Sequence, residues 1–197
     1  LFRFFNENSE TEVIENNLSR AFSICLKNNS LFFNEFLKAI MTNDDYEYLF
    51  NSISAEHKYS LNIQINTASI EKESFSKVYA VAMTSDKNLD MGDFYSQLDY
   101  GDRINITDIV ISIKDIVIII EVKRTGEDPK AQLFNQVLPF IREEYDVIPT
   151  SVSWQDVVRI MRKVKNIQQL LFQTSVFITD FLQLSEVKFP HWFEPKP

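Results

Sequence analysis

The run Ile106–Val122 constrains this chain more than any other part of it. It reads Ile-Thr-Asp-Ile-Val-Ile-Ser-Ile, then Lys114-Asp115, then Ile-Val-Ile-Ile-Ile-Glu-Val. Two β-branched runs parted by two polar residues predict a β-hairpin. The second run is apolar at every position from Ile116 to Ile120, the pattern of a central strand covered on both faces. Such a strand needs layers above and below it, and the chain can supply them. Its 197 residues, 45% hydrophobic and 24% charged, suffice for one domain with a sizeable core.

The hairpin also carries charges where it leaves the core. With the turn centred on Lys114-Asp115, Asp108 falls opposite Glu121, and Lys123 shares a face with Glu121. Two carboxylates and one lysine therefore converge at one end of a buried hairpin. Carboxylates held close together repel, and burial raises the cost. A divalent cation compensates, and hard carboxylate oxygens suit Mg2+ or Mn2+. The lysine can steady an attacking water or stabilise charge growing on a phosphoryl group, so the set suits metal-assisted phosphodiester hydrolysis. The plainer alternative is a strand-end ion pair between Glu121 and Lys123, with Asp108 as a turn residue; the pairing register favours the site.

Asp108, a hairpin, then Glu121-Val122-Lys123 resembles the core of the PD-(D/E)xK nuclease superfamily. Two further segments extend the resemblance. Gln132-Leu133 stands where many members carry a Gln-Leu pair opening the next helix, and Glu15-Asn-Asn-Leu-Ser-Arg-Ala-Phe is similar to a first-helix Glu-Asn-x-Leu-Thr-x-Ala-Phe pattern. Thr107 stands where the family often has proline, and Gln136, four residues after Gln132, stands where some branches have tyrosine. The resemblance spans Glu15 to Trp154. It implies an α/β fold with a restriction-endonuclease-like core, a mixed central sheet of about five strands flanked by helices. It also implies an Mg2+-dependent deoxyribonuclease, alone or as the nuclease domain of a bacterial restriction or anti-phage defence protein. Asp108, Glu121 and the Val122 carbonyl would bind Mg2+ or Mn2+, with Glu15 reaching the site through water; Lys123 and Gln132 would complete the catalytic set. Read from local sequence alone, Glu15 is a first-turn acid favoured by the helix dipole.

Along the chain, apolar residues at three- and four-residue steps predict a helix over Glu10–Lys27, a second over Leu31–Met41 and a short third over Asp44–Ile53. Period-two alternation predicts a half-exposed strand over Lys58–Ala68. Ser76–Met83 follows as a strand antiparallel to it. Thr84–Arg103 reads as a polar loop whose Asp86, Asp90, Asp93, Asp99 and Asp102 lack calcium-loop spacing. After the hairpin, Asp128-Pro129 reads as N-cap and N1 of a helix whose free N–H groups make an anion site. Gln132 lies in its first turns, where its amide can bond a phosphate or base. Arg124 and Lys130 lie close enough to hold phosphate, a solvated surface charge being the alternative for each. Gln136, one turn further on, joins them as a nucleic-acid contact with a smaller effect than Gln132. Asp146–Ser153 reads as a strand that Pro149 confines to an edge or a strand's beginning. Helices over Trp154–Lys165, with a basic outer side, and Gln168–Leu184 complete a domain of residues 1–189. Residues 190–197, with His191, Trp192 and Phe193 exposed beside prolines, read as a docking tail or linker.

The single cysteine, Cys25, excludes an internal disulfide and a zinc cluster, and two distant histidines make a histidine-rich metal site improbable. No apolar run reaches a membrane span of about 20 residues, and a Leu-Phe-Arg-Phe-Phe start is no signal peptide. Cytoplasmic residence without membrane partners fits. That start, lacking Met, also suits a piece of a longer chain. The net charge of −8 opposes a broad nonspecific nucleic-acid footprint, although local placement of cations governs binding more than their sum. Three functions follow in order: a DNA nuclease, with RNA also admissible; a catalytically silent nuclease-fold binding or assembly module; and a hydrolase of small phosphodiesters. A homodimer or further domains stay open.

Overall fold

The structure is a computed structural model and describes residues 11–51, 59–71, 75–99 and 106–193. Its centre is a five-stranded sheet built from β1 (Tyr59–Asn66), β2 (Lys77–Thr84), β3 (Ile106–Ile113), β4 (Ile116–Val122) and β5 (Asp146–Ser153), in the order β1-β3-β4-β2-β5. β1 with β3, and β3 with β4, are antiparallel; β2 runs parallel to both β4 and β5. This is the mixed, helix-flanked, restriction-endonuclease-like arrangement expected from the sequence.

The hairpin forms in the expected register, with Ile113 facing Ile116 and Ile109 facing Ile120. Lys114 turns the chain at φ 52°, in the left-handed region. Every residue of β4 is buried. Ile116, Ile118 and Ile120 face one cluster with α1 (Thr11–Asn28), α2 (Ser30–Ile40), α5 (Trp154–Leu170) and α6 (Val176–Lys188); Val117 and Ile119 face the other, under α4 (Lys130–Arg142). Each such side chain contributes about 1.5–3 kcal/mol relative to exposure, which makes this strand the spine of the fold. α3 (Asn43–Asn51) is pinned to the far end of the sheet, where Lys77 Nζ donates to Asp45 Oδ1 at 2.6 Å and the Tyr79 hydroxyl donates to Asp45 Oδ2.

Four expectations are corrected. β2 is not an antiparallel partner of β1: it inserts between β4 and β5, because α4 carries the chain from β4 across β2 to β5. The helix after the hairpin starts at Lys130, with Pro129 at the cap position and Asp128 Oδ1 accepting from the Lys130 N–H at 2.9 Å. α5 runs on to Leu170, Phe172 then turns the chain at φ 56°, and Ser175 caps α6, so the last helix starts later than Gln168. Trp192 is not an exposed docking residue: it is 1% exposed and stacks on Trp154 at 4.5 Å and on Phe189 at 4.2 Å. Pro149 does lie in an edge strand. Ile53, Asp102 and residues 194–197 lie outside the described residues. No helix among the described residues is long and apolar enough to cross a membrane.

Candidate active site

Asp108 and Glu121 lie on the α4 face of the sheet, near the end where β4 leaves it. Asp108 is 8% exposed and Glu121 is 2% exposed. Asp108 Oδ2 accepts from the Val122 N–H at 2.8 Å, across the hairpin. Asp108 Oδ1 accepts from Gln64 Nε2 at 2.8 Å. Glu121 Oε1 meets Lys123 Nζ at 3.0 Å, and Glu121 Oε2 accepts from Gln136 Nε2 at 2.7 Å. Burial pushes the Asp108 carboxyl up to about 6, against the bonds from Val122 and Gln64 and the charge of Lys123. Burial, then the neighbouring Asp108, pushes Glu121 up to about 7. Burial alone would lower the Lys123 ammonium, but the Glu121 and Glu15 carboxylates outweigh it and hold the group above its usual range. Lys123 therefore carries its charge, and serves as a cation rather than a base.

Around this core the structure gathers most of the expected residues. Lys123 Nζ donates to Gln132 Oε1 at 3.0 Å and lies 4.0 Å from Glu15 Oε2. Glu15 comes from α1 on the opposite side of the sheet; its Oε1 accepts from the Arg124 N–H at 3.3 Å. Arg124 stays beside the site, and its buried Nε has no hydrogen-bond partner among the described residues. Lys130 is turned away, donating to the Asp90 carbonyl at 3.1 Å and to Asp93 Oδ1 at 2.5 Å. That lysine fastens the long polar loop onto α4. Among the described residues no group of three or more His, Cys, Asp or Glu is placed to hold a metal ion.

Gln136 requires a correction. A residue 1% exposed does not touch a nucleic acid; it donates to Glu121 Oε2 and to the Ile106 carbonyl at 3.0 Å. The helical spacing of four does place both glutamines on one face, but Gln132 serves the lysine and Gln136 the carboxylate. Gln136→Ala should therefore cost about 1–3 kcal/mol of stability by leaving buried acceptors unpaired. Gln132→Ala should leave Tm nearly unchanged and, under the nuclease activity that the resemblance implies, slow cleavage about tenfold, the worth of one bond to a charged group. Calorimetry and cleavage rates on both variants check this, and equal Tm losses would refute it.

Two residues were not legible as part of the site. Trp154 Nε1 donates to the Lys123 carbonyl at 2.9 Å, so the aromatic stack of Trp154 and Trp192 fixes the backbone under the lysine. Gln64 reads in sequence as one of the outward residues of an alternating strand. In the structure it takes φ 54° inside β1, directly across from Asp108. The kink reverses the alternation: Ile63 packs on one side of the sheet and Ile65 on the other. A non-glycine residue held in this region costs on the order of 1–3 kcal/mol and persists only where the surroundings impose it. Gln64→Gly relieves that strain while Gln64→Ala keeps it, so the usual order, with Ala in strands the more stable by about 0.5–1 kcal/mol, should shrink or invert. Both variants should cleave about tenfold more slowly through loss of the bond to Asp108. Thermal melts and rates measured together test this; a normal Ala-over-Gly gap would show that the kink carries no strain.

Compared with family models, with curated proteins and with solved structures, the chain matches none, so the site rests on its own geometry.

Proposed function

We propose that the protein is a metal-dependent nuclease that hydrolyses phosphodiester bonds in DNA. The observation that carries this reading is the buried Asp108–Glu121 pair with the Lys123 ammonium 3.0 Å from Glu121. A structural ion pair needs one acid; here burial raises both carboxyls, and the net cost calls for a further cation. The donor set fits Mg2+ or Mn2+. Magnesium is usually held by only one or two carboxylates and keeps several waters, so two acids are enough. Each carboxylate oxygen already accepts one protein donor and still has a second lone pair. Asp108, Glu121 and the Val122 carbonyl would hold the ion, which when bound supplies Lewis-acid polarisation of a phosphoryl oxygen.

The remaining roles belong to side chains of the chain itself. Lys123 stands ready to stabilise negative charge developing on the phosphoryl group, and Gln132 and Glu15 keep its ammonium in place. Gln64 and the Val122 N–H orient Asp108; Gln136 orients Glu121. Arg124, whose backbone N–H donates to Glu15, would bring its guanidinium to a substrate phosphate. The cytoplasm and a role in restriction or phage defence are consistent settings.

Incubation with plasmid, linear DNA and RNA, with Mg2+ or Mn2+ and with chelator, tests the activity and separates DNA from RNA. Calorimetry with Mn2+ should show one site in the wild type and at least about tenfold weaker binding in Asp108→Ala, since a ligating carboxylate is lost. Equal affinity in both proteins would rule out the proposed ligands. A second reading, a silent binding or assembly module on the same scaffold, is favoured by the net charge of −8; metal binding without cleavage of any nucleic acid would support it.

A further inference from the structure

On the α4 face of β1 and β3, two cross-strand pairs lead towards the site, Ser60 with Ser112 and Asn62 with Val110, followed by Gln64 bonded to Asp108. α4 does not cover the outer end of this ladder. The chain from Ser69 to Glu71 and the Phe75 ring flank it instead, leaving an open cleft of about 350 Å3. Its floor is Val110, and Ile65 and Phe75 form apolar walls. Ile65 reaches this face only because Gln64 kinks the strand. No hydrogen bond among the described residues occupies the side chains of Ser60, Asn62 or Ser112.

The lining narrows the occupant. Among the described lining residues there is no lysine or arginine and there is Glu71, so they offer a phosphate no cation. Hydroxyl and amide groups without a partner among the described residues are wasted on a hydrocarbon chain. A flat neutral ring with donors and acceptors on its edge uses all of it: stacking against Phe75, apolar contact with Val110, and hydrogen bonds to Asn62 and the serines. The cleft lies one residue pair, about 7 Å, from Asp108. We propose that this cleft is a nucleobase subsite, taking the unstacked base of the nucleotide beside the scissile phosphate, so that the enzyme acts on single-stranded or locally opened DNA. This rests on the nuclease reading for the phosphate, but not for the ring.

Two measurements test it on the full chain. Ligand-detected NMR with the four deoxynucleosides should show binding to wild type. Asn62→Phe fills the cleft from an exposed strand position and should weaken that binding about tenfold or more, as should Phe75→Ala by removing the stacking wall; circular dichroism checks that both remain folded. In cleavage, a short single strand with one abasic position beside the cut should be hydrolysed about tenfold more slowly than the intact strand by wild type, and equally by Asn62→Phe. Absence of nucleoside binding to wild type, or unchanged binding to folded Asn62→Phe, overturns the subsite. Nucleoside binding by wild type, lost in Asn62→Phe, without cleavage of any nucleic acid would uphold the subsite and overturn the nuclease reading.

Discussion

Lys123→Ala should lower single-turnover cleavage by roughly 10³-fold while leaving Mn2+ affinity within about threefold of wild type, the signature of a group that acts on the transition state. The expectation follows from where the ammonium sits. It contacts Glu121 and Gln132 at 3.0 Å and lies 4.0 Å from Glu15, so three groups from two helices and a strand meet at one nitrogen. Its surroundings raise its affinity for the proton, so the positive charge persists at neutral pH. Removing it takes away the fixed charge nearest to the two acids without removing either acid. Cleavage near the wild-type rate would mean that the lysine is there only to pair Glu121. The silent-module reading predicts a different result, with no cleavage in either protein.

The hairpin was legible because two local rules sufficed. A two-residue polar break set the register, and period-two alternation then put Asp108 opposite Glu121 and Lys123 beside it. Pro149 likewise marked β5 as an edge, since proline removes one ladder donor. What local rules do not contain is the order of strands. β2 lies between two strands that follow it in sequence, an outcome of how α4 crosses the sheet rather than of anything within Ser76–Met83. Gln64 was hidden for a related reason. Glutamine has no preference for a left-handed conformation, so the kink is imposed by the bond to Asp108 and by Ile65 seeking the α4 face. Trp192 looked like part of a tail because prolines surround it, whereas its burial depends on Trp154, far away in sequence. Gln136 lies far from the helix N-terminus along the chain, but its neighbour in space is the Glu121 side chain, which no local spacing rule contains.

Glu121→Gln should abolish cleavage yet make the metal-free protein more stable at pH 8. Glu121 titrates from an ordinary value of 4.5 in the unfolded chain to about 7 in the folded one. Between those values the unfolded state has released its proton and the folded state retains it, so stability falls as pH rises through this window and then levels off. Above it, the folded protein carries a buried carboxylate whose burial and nearness to Asp108 outweigh its bonds to Lys123 and Gln136. Glutamine has the same shape and no charge. Its amide NH2 replaces an oxygen that accepts from Lys123 or Gln136, and this lost bond offsets part of the gain. The gain should be about 1–3 kcal/mol at pH 8, a rise of roughly 2–10 °C in Tm, and should shrink towards zero at pH 5, where the wild-type carboxyl is protonated. Melting curves of both proteins in chelator across this range check the sign. A variant that is less stable than wild type at pH 8 by as much as at pH 5 would mean that Glu121 is a structural partner of Lys123, and that the carboxylate pair is not held at a cost for a cation to relieve.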